Sequence, residues 1–136
     1  MKTSELQLGD MVSCLGDPVI VVSLSFNGDE PIGIISPLKK IFTFREKDVY
    51  PVQLTTDILI NNGFTQDTIG SGLILHIDNS ENLYVLVNYR YNRECRNVEI
   101  SNKMYNLLCP IQYAHELQHA LRLCGLSELA ENLKVL

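Results

Sequence analysis

Two groups of residues in this chain have the types and spacing to do chemistry. The first is HELQH, His115 to His119, which satisfies the H-E-x-x-H pattern of zinc metalloproteases. Two imidazoles one helical turn apart can share a zinc ion, and Glu116 between them can act as general base on a zinc-bound water. A catalytic zinc also needs a third protein ligand. Only 17 residues follow His119, and their carboxylates, Glu128 and Glu131, form no recognised continuation of the motif. Adding the neighbouring thiols gives Cys109, His115, His119 and Cys124, spaced C-x5-H-x3-H-x4-C, which matches no zinc finger. Chance alone produces H-E-x-x-H in a chain of this length on the order of once in a few hundred sequences.

The second group is YRYNRECR, which gathers Arg90, Arg93 and Arg96 beside Tyr89 and Tyr91. Guanidinium groups next to aromatic rings suit phosphate contacts and base stacking. A charged hairpin end guarding an exposed sheet edge has the same composition. The net charge of −5 argues against broad nucleic-acid binding. A nucleic-acid strand would meet only this patch, joined by Lys39, Lys40 and Arg45, so nucleic acid is the disfavoured partner. Gly-rich phosphate loops, serine-nucleophile motifs and paired-carboxylate signatures are absent from the sequence.

Periodicity indicates the elements that position these groups. IQYAHELQHALRLC carries the helical repeat, with Pro110 suited to its first turn and Gly125 to its end. On that helix Ala114, Leu117, Ala120, Leu121 and Cys124 form an apolar stripe. His115, Gln118, His119 and Arg122 fall on the opposite, polar side, beside a permanent cation that is poor company for Zn²⁺. Ser127 is expected to cap a short last helix.

Upstream, GDMVSC, PVIVVSLS, PIGIIS and KIFTFR read as short strands closed by EKDVYPV, which suggests a small SH3-like antiparallel barrel over residues 1–53. QLTTDILINNGF then reads as a helix capped by Thr55 or Thr56, burying Ile58 and Leu59 and ending at Gly63. GLILHID, ENLYVLVNYRY and RNVEIS read as three strands. In the middle one Val85 and Val87 share a face opposite Tyr84, Leu86 and Asn88. The expected fold class is α+β: the SH3-like barrel followed by an α-β-β-β-α unit over residues 54–136, packed against it.

At 136 residues, 46% hydrophobic and 20% charged, the composition is that of an ordinary folded domain. The longest apolar runs are too short to span a bilayer and the N-terminus has no secretory h-region, so membrane association is not expected and the expected compartment is the cytoplasm. Cys14, Cys95, Cys109 and Cys124 include no C-x-x-C pair and are expected to be reduced and mostly buried.

Three blocks, KTSELQLGDMVSCLGDPVIVV, YPVQLTTDILINNGF and IQYAHELQHALRLCGL, resemble a family of small uncharacterised proteins of Bacteroides-type bacteria, found in prophages and mobile elements. The resemblance implies a phage or mobile-element setting and carries no activity with it. Family members often read H-x-L-Q-N in the last block, which implies that the second histidine is not a required ligand. The expectation is a non-catalytic interaction module with a protein partner and no cofactor. The two alternatives are a zinc hydrolase using His115, Glu116 and His119, and a nucleic-acid accessory protein using Tyr89, Arg90, Tyr91, Arg93 and Arg96.

Overall fold

Five short strands account for the β-branched segments of the N-terminal part: β1 (Met11–Cys14), β2 (Asp17–Leu24), β3 (Ile32–Ile35), β4 (Ile41–Phe44) and β5 (Val49–Pro51). They belong to a computed structural model that describes residues 1–25, 28–35, 40–67, 72–80, 82–89, 96–102 and 105–134. The chain is mixed α+β and divides into two units, Met1–Gln53 and Leu54–Lys134.

In the first unit the strands run antiparallel in the order β4-β3-β2-β1-β5, so the fifth returns beside the first. Alternation chooses the buried face: Val12, Cys14, Val19, Val21, Ile32 and Ile34 pack inward with Leu6 and Val49. A bulge between Val21 and Ser23 interrupts the β2 ladder, a feature that bends a strand. The closed barrel expected from the sequence is not seen, because among the described residues no ladder joins β4 to β5. Leu15 and Gly16 link β1 to β2 with φ of 53° and 86°. This mirror-image turn matches the twist of the strands but costs a leucine on the order of 1 kcal/mol.

The N-terminus straps this sheet. The Met1 ammonium donates to Glu46 O (2.9 Å) and Val49 O (2.8 Å), while the Thr3 amide and hydroxyl donate to Glu46 Oε1 (2.8 and 2.7 Å). Those Thr3 hydrogen bonds hold the Glu46 carboxyl below its ordinary pKa. A carboxylate depressed in this way contributes stability above its unfolded pKa and loses that contribution as pH falls through the folded value. Acidification is therefore expected to release the strap at a pH below the usual glutamate range. The Thr3 amide shift, followed by NMR during a pH titration, reads this directly, and Thr3→Val should move the midpoint upward. A midpoint that stays put would show that Thr3 does not control it.

The second unit runs α1 (Thr56–Asn61), β6 (Thr65–Gln66), β7 (Gly72–His76), β8 (Tyr84–Tyr89), β9 (Arg96–Asn102), β10 (Tyr105–Ile111), α2 (Ala114–Leu123) and α3 (Ser127–Glu131). Its five strands form an antiparallel meander in the order β10-β9-β8-β7-β6, two more than the three expected from the sequence. Leu73, Val85, Val87, Val98 and Ile100 are buried. By pairing register they share one face. Tyr84, Leu86 and Asn88 lie half-buried on the other. α1 packs against β7, and α2 packs against β9, β10 and α3.

The caps explain the helix limits. Thr55 Oγ1 accepts the Ile58 amide (3.2 Å) at the start of α1. Gly63, at φ 90°, closes α1 with bonds from its own amide to Ile60 O and from Phe64 N to Leu59 O. Gly125 repeats this at α2, where its amide reaches Arg122 O and Leu126 N reaches Leu121 O. One boundary differs from expectation. Pro110 does not begin α2; it lies in β10 opposite Asn97, and the helix starts at Ala114. β10 is an edge strand, where a residue without an N–H leaves no ladder bond broken on the solvent side. Likewise Leu126, not Ser127, is the N-cap of α3, and it makes no side-chain cap. Among the described residues no helix is long and apolar enough to cross a membrane.

Candidate functional site on the second helix

The three residues of the zinc motif sit in the first turns of α2, in three different environments. His115 is 6% exposed, and its ring stacks on Tyr113 with centroids 5.8 Å apart and planes at 13°. His119 meets the His115 ring edge-on at 5.5 Å and is half-buried. Glu116 turns back along the chain: Oε1 accepts the amides of Tyr113 (3.0 Å) and Gln112 (3.2 Å). This is the returning half of a capping box, in which a carboxylate satisfies amides that the first helical turn leaves without partners. The same placement complements the positive end of the helix dipole.

The polar face expected for α2 is not a solvent face. His115 is buried, and Gln118 is only 1% exposed. Gln118 Nε2 donates to Ala130 O of α3 at 3.1 Å, and the buried Asn102 of β9 donates through Nδ2 to Cys124 O at 2.9 Å. Periodicity locates the stripe that meets the sheet. It does not reveal that α3 covers an adjoining stripe, where buried amides are tolerated because each finds a carbonyl. The open strip of α2 is narrow: Glu116, His119 and Arg122 are half-buried, and Leu123 is 70% exposed.

The thiols near the helix are held toward the protonated form. Cys109 and Cys124 are free, as is Cys14 in the first unit. Burial pushes the Cys109 thiol up, with the Glu116 charge adding to it, and burial likewise raises Cys124. A raised pKa favours the protonated thiol, whereas nucleophilic attack needs the thiolate. Among the described residues no three His, Cys, Asp or Glu side chains converge as a metal site.

Arg96 is the one arginine of the Arg/Tyr group among the described residues. Its alternation with Val98 and Ile100 puts it on the helix-bearing face of β9, where its guanidinium donates to Leu54 O just before α1. That bond fastens the start of the unit to its sheet. Arg90, Tyr91 and Arg93 lie outside the described residues, as does the Tyr89 side chain. Lys39 is also outside them, Lys40 is exposed, and Arg45 pairs with Asp48 at 3.1 Å.

Sequence reasoning overlooked Glu116 as a cap, together with Gln118 and Asn102 as buried donors. Only the first had a signal. A glutamate three residues after Tyr113 has capping-box spacing, but it is legible only once the helix start moves from Pro110 to Ala114. No protein-family model matches the chain, and no curated protein or solved structure is significantly similar to it.

Proposed function

We propose that this chain is a non-catalytic interaction module that binds a protein partner. The observation that carries the reading is the bonding of Glu116: the carboxylate that a zinc hydrolase would aim at water instead accepts two amides at the helix start. His115, enclosed beside Tyr113, serves packing in this reading. We further read residues 1–53 as an SH3-like unit, a scaffold suited to recognition. The return of β5 to β1, the bulge in β2 and the 3₁₀ turn at Glu46–Asp48 immediately before β5 support it. The family resemblance supports a phage or mobile-element setting, and the N-terminal sequence, without an apolar h-region, supports the cytoplasm as the compartment.

The test pairs elemental analysis with two substitutions. Protein purified without chelator is expected to hold no stoichiometric zinc. Glu116→Ala should lower stability by about 1 kcal/mol, as loss of a cap does, while Glu116→Gln should lose less because an amide oxygen can still accept. Zinc at one equivalent, lost on His119→Asn, would establish the hydrolase alternative instead. Salt-dependent binding to single-stranded nucleic acid, weakened by Arg90→Ala and Arg93→Ala, would establish the other.

A further inference from the structure

A sheet edge presents a row of unpaired N–H and C=O groups, and proteins blunt such edges with proline, charge, short strands or a covering segment. The two sheets here have four edges, and three carry a device of this kind. At β5 the Met1 ammonium occupies Val49 O (2.8 Å), and Pro51 has no N–H to offer. β6 is only two residues long, and β10 contains Pro110. β4 differs. It reads Ile41-Phe42-Thr43-Phe44, without proline, glycine or charge, and β3 is its only strand neighbour among the described residues. Ile41 is 70% exposed and Phe42 46%.

We propose that β4 pairs edge to edge with β4 of a second copy of this chain, antiparallel about a two-fold axis, joining two sheets into one. The inference does not depend on how α2 is read. Charge selects both the occupant and the direction. Exposed Lys40 precedes the strand, whereas a groove at its other end is lined by Asp29, Glu30, Thr43, Phe44, Arg45 and Asp48. Within that groove Arg45 pairs with Asp48 at 3.1 Å, so Asp29 and Glu30 leave the groove acidic on balance, while Lys2 and Lys47 line the groove that adjoins it. An antiparallel copy brings each Lys40 to the acidic end of the other, while a parallel copy would set Lys40 beside Lys40. Residues that oppose each other across a ladder share a sheet face, so Phe42 must meet either Phe42 or Phe44 of the second copy. Both registers overlap three residues of the strand, but the Phe42–Phe44 register places the axis at Thr43, creates two aromatic cross-strand pairs and sets Lys40 opposite Glu46.

A four-residue edge is a small interface, so the association should be weak and concentration-dependent. Light scattering coupled to size exclusion should show monomer at low concentration and dimer by about 100–200 μM, the range for a Kd on the order of 10 μM. Ile41→Lys alters an exposed side chain and sets like charge against Arg45 of the second copy. It should leave the circular dichroism spectrum unchanged and weaken dimerisation at least tenfold. Thr43→Cys, at the axis, should oxidise to a disulfide-linked dimer much faster than Tyr50→Cys on β5 at the opposite edge. A chain that stays monomeric across this range overturns the proposal, as does a dimer that Ile41→Lys leaves intact. Equal cross-linking through both engineered cysteines overturns it too, because that places the contact elsewhere.

Discussion

Leu117→Asp is expected to cost several kcal/mol of stability, the largest effect of any single change considered for this chain. Leu117 is fully buried on α2, alongside Ala114 and Leu121. The substitution removes the transfer energy of an isobutyl group, on the order of 2 kcal/mol. It also obliges a carboxylate to enter an apolar site or to protonate there. The sum, about 3–5 kcal/mol, is comparable with the whole stability of a small domain, roughly 5–15 kcal/mol. Urea unfolding by circular dichroism should show the midpoint falling sharply or the folded baseline disappearing. Leu123→Asp, on the open strip of the same helix, is the control and should stay within about 0.5 kcal/mol of the parent. If the two variants behaved alike, the helix would be facing the wrong way.

The second large effect is expected at Gln118, where a change of one atom reverses the polarity of a contact. Gln118 Nε2 donates to Ala130 O at 3.1 Å in a site closed to water. Gln118→Glu keeps the shape but sets a carboxylate oxygen against a carbonyl oxygen. The ionised form is disfavoured by burial and by that neighbour, so the folded-state pKa of the new group rises above its unfolded value. Its contribution is then fully present below the unfolded pKa and is lost as pH rises through the interval between the two. The variant should approach parental stability in acid, where the protonated oxygen can donate to Ala130 O. Near neutrality it should fall short by about 3 kcal/mol. Gln118→Leu, which loses the donor without adding charge, should cost about 1–2 kcal/mol at every pH. Denaturant midpoints of the two variants, measured at acid and neutral pH, check the difference. A Gln118→Glu deficit that did not vary with pH would mean that water reaches the site.

Local rules made much of this molecule legible from its residues. The strands of the first unit follow from β-branched runs cut by turn residues, and their limits agree closely with the segments read from the sequence. α1 was legible with its cap, its buried Ile58 and Leu59 and its closing glycine, because capping and left-handed glycines act over four or five residues of chain. Leu117 and Leu121 were placed in the core by the 3.6-residue period alone, and the two-residue period put Val85 and Val87 on one face, which the structure buries. Each of these depends on interactions between near neighbours in sequence, and such interactions repeat with a period that can be read.

Tertiary structure decided the rest. Whether Pro110 opens a helix or closes a strand depended on β9 lying beside it, since the same residue is suited to either end. The fate of the polar residues on α2 depended on α3, which turns Gln118 from a solvated amide into a buried donor to Ala130. The hydrogen bond from Arg96 to the Leu54 carbonyl joins positions 42 apart in the chain, which no local pattern shows. The motif His115-Glu116-His119 is determined by the sequence as a spacing on one helix. What the Glu116 carboxylate bonds to was decided by the chain around it, because a carboxylate goes to whichever donors the fold brings within hydrogen-bond distance. Here those donors are the amides of Gln112 and Tyr113.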